Sequence, residues 1–109
     1  MNDNLKAADL LDKAAELIAQ PGAWTQDVEA RGPDGARCLP SDAAACAWSA
    51  VGAVLHVGNC DTYNLAAAII ALEDLTGRNP FAWNNHPARR QDDVVRLLKR
   101  GAANLRATP

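Results

Sequence analysis

Four stretches of this chain repeat small and branched apolar residues at helical spacing, and glycine or proline cuts off each of the first three. That punctuation constrains the fold more than any single motif. From Asp3 to Gln20, Leu10, Ala14, Leu17 and Ile18 recur on one face, with Ala7 and Leu11 widening it. Asp9, Asp12, Lys13 and Glu16 lie opposite, the pattern of an amphipathic helix. Asn2, Asp3 or Asn4 can cap its start, and Pro21-Gly22 ends it.

A second helix is expected from a cap at Ser41 or Asp42 to Val57, closed by Gly58-Asn59. Ala43, Cys46, Ala47, Ala50, Val54 and Val57 then share one face, and Trp48, Val51 and Leu55 widen it. Glycine at position 52 costs such a helix about 1 kcal/mol against alanine, so another backbone is expected close by. Asp61 or Thr62 caps a third helix to Thr76. Its run from Leu65 to Leu72 is apolar nearly all round, which predicts the central, most enclosed element. Residues Arg78 to Ala88 read as irregular, punctuated by Asn79-Pro80 and His86-Pro87. A last helix starts near Pro87 or Gln91, ends before Pro109, and buries Val94, Leu97, Leu98, Gly101 and Leu105.

Between the first two helices, residues 25–31 and 36–39 flank the turn cluster Gly32-Pro33-Asp34-Gly35, which fits either a short β-hairpin or an ordered loop. The expected architecture is mainly α: a four-helix single domain over residues 1–109, with a small hairpin or ordered loop between helices 1 and 2. Alanine supplies much of the apolar content and aromatics only 5%. The core should therefore be thin, anchored by a few Leu, Ile, Val and Trp side chains, and a thin core favours self-association.

Net charge is −2, too small and of the wrong sign to collect polyanions over the whole surface. The distribution is uneven. Residues 89–106 carry Arg89, Arg90, Arg96, Lys99, Arg100 and Arg106 against Asp92 and Asp93. Arg89, Arg96, Lys99 and Arg100 form a basic stripe that could contact phosphates. Competing uses are the dipole at the helix C-terminus and ion pairs with the acidic remainder. No aromatic residue interleaves the stripe, and no recognition-helix signature is present, which argues against nucleic acid as the main partner.

Three cysteines occur, Cys38, Cys46 and Cys60, with no CxxC pair. The beginning of the chain shows no apolar leader, and Leu65–Leu72 is too short to cross a bilayer. A reduced, cytoplasmic protein without membrane association is expected. Cys46, with His86 as base and Asn85 as orienting amide, is the candidate catalytic set of a cysteine-dependent hydrolase. The letters around Cys46 resemble those around the papain nucleophile. However, Ala47 stands where tryptophan follows the cysteine there, no oxyanion glutamine lies upstream, and the chain is too short for two lobes. A small hydrophobe on a helix face is the preferred reading of Cys46. Zinc ligation would need tight ligand pairs, whereas the cysteine gaps are eight and fourteen residues. His56 reads instead as a surface or hydrogen-bonded core histidine, and no metal or cofactor is expected.

The tryptophans sit at element junctions. Trp24, Gln26, Trp83, Asn84 and Asn85 are the candidate binding residues if the two loops meet in a groove. The plainer reading is that these rings anchor loops, each indole N–H finding a carbonyl. At these junctions the chain resembles a family of small uncharacterised proteins from bacteria and their phages. Gly22, Trp24 and Gln26 match a Gly-x-Trp-x-Gln element; Cys46, Ala50, Gly52 and Ala53 match a cysteine-bearing Ala-x-Gly-Ala helix; Trp83, Asn84, Asn85 and Pro87 match a Trp-Asn-Asn/Asp motif with a following proline. Arg90 departs from the pattern, standing where a capping Thr or Ser is expected. The resemblance implies a domain of unknown function and brings no catalytic residues. The expected function is a module that binds an unidentified protein partner or its own copy as a homo-oligomer, in a phage or mobile-element setting.

Overall fold

The computed structural model describes residues 3–58 and 62–107. The first helix, α1 (Asp3–Ile18), forms the axis of the molecule and packs on α2 (Ala50–Gly58), α3 (Thr62–Thr76) and α5 (Gln91–Ala107). A short α4 (Pro80–Asn84) joins α3 to α5. The expected apolar stripe of α1 is inside, with Ala7, Leu10, Leu11, Ala14 and Ile18 buried. Leu11, Ile18, Val54, Leu72, Val94 and Leu98 are the large fully buried anchors, and alanines from α1, α2, α3 and α5 fill the space between them. Small side chains let helix axes approach closely. At Gly101 an added Cβ would press on Leu11 and Leu72, so three helices meet there. The radius of gyration, 12.8 Å, is that of a single compact globule, for which about 13 Å is expected at this length.

α5 lies along α1 and is fastened to it near both ends. At one end Gln91 donates from Nε2 to the carbonyl of Ile18 (2.6 Å), an oxygen that α1 leaves open, and to that of Gln20 (2.9 Å) just beyond it. Near the other, Arg106 pairs with Asp9 (2.8 Å) and Asp12 (2.7 Å). The start at Gln91 needs no Thr or Ser at position 90, because the Asp93 carboxylate accepts the Arg90 N–H at 2.9 Å.

Three sequence expectations are corrected. First, the second helix begins at Ala50, not near Asp42. Asp42 closes a turn on the Ala44 N–H (2.8 Å), and Ala47–Trp48 then form strand β2, antiparallel to β1 (Ala30–Arg31). Ser49 is the effective cap, its Oγ accepting the Gly52 N–H at 3.0 Å. Second, α3 is not the central, most enclosed element: α1 packs on three other helices, and no residue of α2 is exposed. Only Asn64, Ala68 and Leu72 of the described α3 side chains are buried, while Tyr63 is 85% exposed and Ile70 55%. Third, Asn79-Pro80 does not merely interrupt an irregular segment. Asn79 Oδ1 accepts from Phe81 (2.8 Å) and Ala82 (3.3 Å), and Pro80 opens α4.

The turn at residues 32–35 is present, with an isolated antiparallel bridge between Arg31 and Arg37. The main pairing of β1 is with β2, farther along the chain. Of the remaining caps, Asn2, Asn59 and Asp61 lie outside the described residues, and Asp3 and Asn4 are already helical. Among the described residues no helix is long and apolar enough to cross a membrane.

Candidate functional site

Asn84 ends α4 and is fully buried. Its Oδ1 accepts two N–H groups, Trp24 Nε1 at 2.8 Å and the Ala50 amide at 3.0 Å. Its Nδ2 donates to the Thr25 carbonyl and to Asn85 Oδ1, each at 3.1 Å. The amide thus spends both acceptor and both donor sites inside the protein, and it satisfies an open N–H at the start of α2. Gln26 Nε2 donates to the carbonyls of Asn84 (3.0 Å) and His86 (2.9 Å). Asn85 Oδ1 also takes the Asp27 N–H at 2.8 Å. Asp27 has a φ of 71°, a left-handed turn that aspartate tolerates better than bulky residues, and this turn aims its N–H at Asn85. Arg31, which the sequence did not single out, braces the same loop through Thr25 Oγ1 (2.8 Å) and the Gly35 carbonyl (3.0 Å). The two tryptophan loops therefore converge, with Trp24 Nε1, Gln26 Nε2, the Asn84 amide and Asn85 Oδ1 engaged with one another or with nearby backbone.

Trp83 belongs to a different surface. The Arg89 guanidinium lies 3.6 Å from the centre of its ring, and Arg89 Nε donates to the Trp83 carbonyl at 2.9 Å. Beyond this stack opens a groove of about 650 Å³ between the end of α3, α4 and α5. Its apolar lining is Leu75, Trp83 and Leu97; its cations are Arg89, Arg96, Lys99 and Arg100. The one carboxylate is Asp93, which also holds Arg96 at 2.7 Å. The Arg90 N–H, and after it Arg96 and Arg89, keep the Asp93 carboxyl below the usual carboxylate range against the opposing effect of desolvation. Lys99 and Arg100 make no ion pair among the described residues. All four members of the basic stripe thus share one cleft, and Trp83 joins them from another helix.

A family model matches residues 2–104. The chain belongs to DUF6197. That is a family of unknown function, and neither a curated protein nor a solved structure matches this chain.

In this DUF6197 chain Cys46 is exposed, which overturns the expectation of a buried small hydrophobe. The cause is the displaced start of α2, which leaves Cys46 in the loop entering β2 with its amide bonded to the Arg31 carbonyl at 2.9 Å. His86 Nδ1 accepts the Ala88 N–H at 3.0 Å, and Asn85 is committed to Asp27 and Asn84. Cys38 lies near enough to Cys46 to be influenced by it. Partial burial first, then the neighbouring Asp42, raises the Cys38 thiol above its usual value. His56 is hydrogen-bonded, its Nδ1 2.7 Å from the Pro40 carbonyl oxygen, and its ring lies 4.8 Å from that of Trp48. Trp48 departs from the loop-anchor pattern: its Nε1 is buried without a partner among the described residues. Among those residues no cluster of three or more His, Cys, Asp or Glu is placed to hold a metal. Cys60 lies outside them.

The sequence pointed to the cations of the groove but not to Leu75, Leu97 or Asp93 as their neighbours. Asp93 had a local signal, three residues before Arg96. Leu75 had none, because its place beside Trp83 depends on how α3 and α4 pack.

Proposed function

We propose that this chain is a small binding module whose groove between α3, α4 and α5 takes an anionic partner. One observation carries the proposal: four cations and a single carboxylate surround an apolar lining on a molecule whose net charge is −2. Positive potential is gathered into one cleft with low-dielectric walls, where its field is strongest. Arg96, Lys99 and Arg100 lie at i, i+3 and i+4 on α5 and so share a face. The Asn84 bonds fix α4 before any ligand arrives, which lowers the entropy lost on binding. The test is retention on a phosphate cation-exchange matrix. Native protein is expected to bind at low salt and elute as salt rises, while Lys99→Glu with Arg100→Glu flows through. Flow-through of the native protein, or equal retention of the two, contradicts the proposal.

Self-association is a second reading, favoured by the outward face of α3. Tyr63 and Ile70 are exposed, and a cleft of about 350 Å³ runs beside Ala67, Ile70, Ala71 and Leu105. A second copy covering this face would compensate for the thin core. Light scattering is expected to show a mass that grows with concentration and falls back to the monomer in Ile70→Glu. A constant monomeric mass contradicts it. The proposal extends to a cytoplasmic setting, in which Cys38 and Cys46 stay reduced, and to the bacterial or phage context of the resembling proteins.

A further inference from the structure

The groove's chemistry discriminates among anions. We infer that its occupant is an acidic amphipathic segment of a partner protein, with apolar side chains against Leu75, Trp83 and Leu97 and carboxylates on Lys99 and Arg100; this rests on the anionic-partner reading above.

Three observations favour a peptide over a nucleic acid. The first is the number of available charges. Arg96 is held by Asp93 and Arg89 by the Trp83 ring and carbonyl, which leaves Lys99 and Arg100 without an ion pair among the described residues. Two uncommitted cations match one or two carboxylates. A nucleic acid backbone is held by roughly 6–10 phosphate contacts when binding is strong. The second is the aromatic surface. Single strands bind by stacking bases on open aromatic faces, and one face of Trp83 is already covered by Arg89 at 3.6 Å. The third is the lining itself. Half-buried Leu75 and Trp83, backed by the buried Leu97, offer apolar area that leucine or phenylalanine side chains would bury and a phosphodiester would not.

Asp93 adds orientation. Its carboxylate shares the groove with the cations, so an incoming acidic group is repelled there and drawn towards Lys99 and Arg100, about two helical turns along α5. The acidic residues of the segment should accordingly cluster at one end of its apolar stripe.

The test uses the full chain and a fluorescent synthetic helical peptide with leucines at i, i+3, i+4 and i+7 and glutamates at one end of that stripe. Its partners are the same peptide with glutamine for glutamate, the same with serine for leucine, and a fluorescent single-stranded oligonucleotide. Anisotropy is expected to show saturable binding of the first peptide. About tenfold weakening is expected for either altered peptide and for the variant Lys99→Glu with Arg100→Glu. Both changed residues are exposed and make no ion pair among the described residues, so the variant keeps the fold, which circular dichroism checks. Oligonucleotide binding with the peptide silent overturns the peptide assignment and leaves the anionic-partner reading standing. Silence of both probes overturns both. Peptide binding that the double variant does not weaken overturns the assignment to this groove.

Discussion

The Asn84 side chain makes four hydrogen bonds from a fully buried position. Replacing it with alanine strands the buried Ala50 amide and the part-buried Trp24 indole N–H and Thr25 carbonyl. Each orphaned buried group costs about 1–3 kcal/mol, so Asn84→Ala should lose about 3–5 kcal/mol in urea unfolding. A loss under 1 kcal/mol would mean that these bonds do not hold the loop. The cysteines give a contrast of the same kind. Cys46 is exposed, whereas Cys38 is partly covered and its thiol is held protonated by that cover and by Asp42. Alkylation of the native protein at neutral pH, read by peptide mass, should label Cys46 well before Cys38. The exposure of Cys46 was not legible in its letters. Ala, Cys and Ser at helical spacing suit a helix face, and the choice of a strand at Ala47–Trp48 depends on antiparallel pairing with Ala30–Arg31, sixteen and eighteen residues away in register.

At the scale of elements, Gly52 was legible and Ser49 was not. A glycine inside a helical pattern announced a close backbone, and the Glu29 carbonyl is that backbone: an added Cβ would overlap its oxygen, which also accepts the Ser49 N–H at 3.0 Å. Gly52→Ala should therefore destabilise by about 2–3 kcal/mol in thermal melts, although alanine is the better helix former. Equal or raised stability would show that the backbone at Glu29, just before β1, can yield. Ser41 and Asp42 outranked Ser49 as caps only because the apolar pattern runs on upstream; a cap is settled by where the chain turns, and here β2 decides that. The start of α5 supplies a pH prediction. The folded Asp93 carboxyl lies below its unfolded value because it accepts the Arg90 N–H and faces Arg96. Its contribution is thus complete above the unfolded carboxylate value of about 3.9 and is lost as pH falls through the lower folded value. Urea midpoints should drop more steeply across that acid window in the native protein than in Asp93→Asn. Parallel slopes would remove Asp93 from the helix start.

For the whole molecule, the helical architecture followed from local periodicity, while the arrangement of the site did not. The stripe of Arg89, Arg96, Lys99 and Arg100 could be read from spacing. Its apolar partners Leu75 and Trp83 come from two other helices and meet it only through packing. In the same way α3, which carries the longest apolar run in the sequence, lies at the periphery because α1 offers the wider stripe of small residues and takes the centre. What joins these levels is the contact between the Gly-x-Trp-x-Gln loop and the Trp-Asn-Asn turn. It locks α4 onto α2, and α4 in turn supplies one wall of the groove. Hydrogen exchange of the Trp24 indole N–H, followed by NMR beside core amides such as that of Leu98, reads this contact directly. Protection approaching that of the core is expected, since the bond to Asn84 should open only when the globule does. Exchange of the indole orders of magnitude faster than the core would show that the loop opens by itself and that Asn84 does not hold the two motifs together.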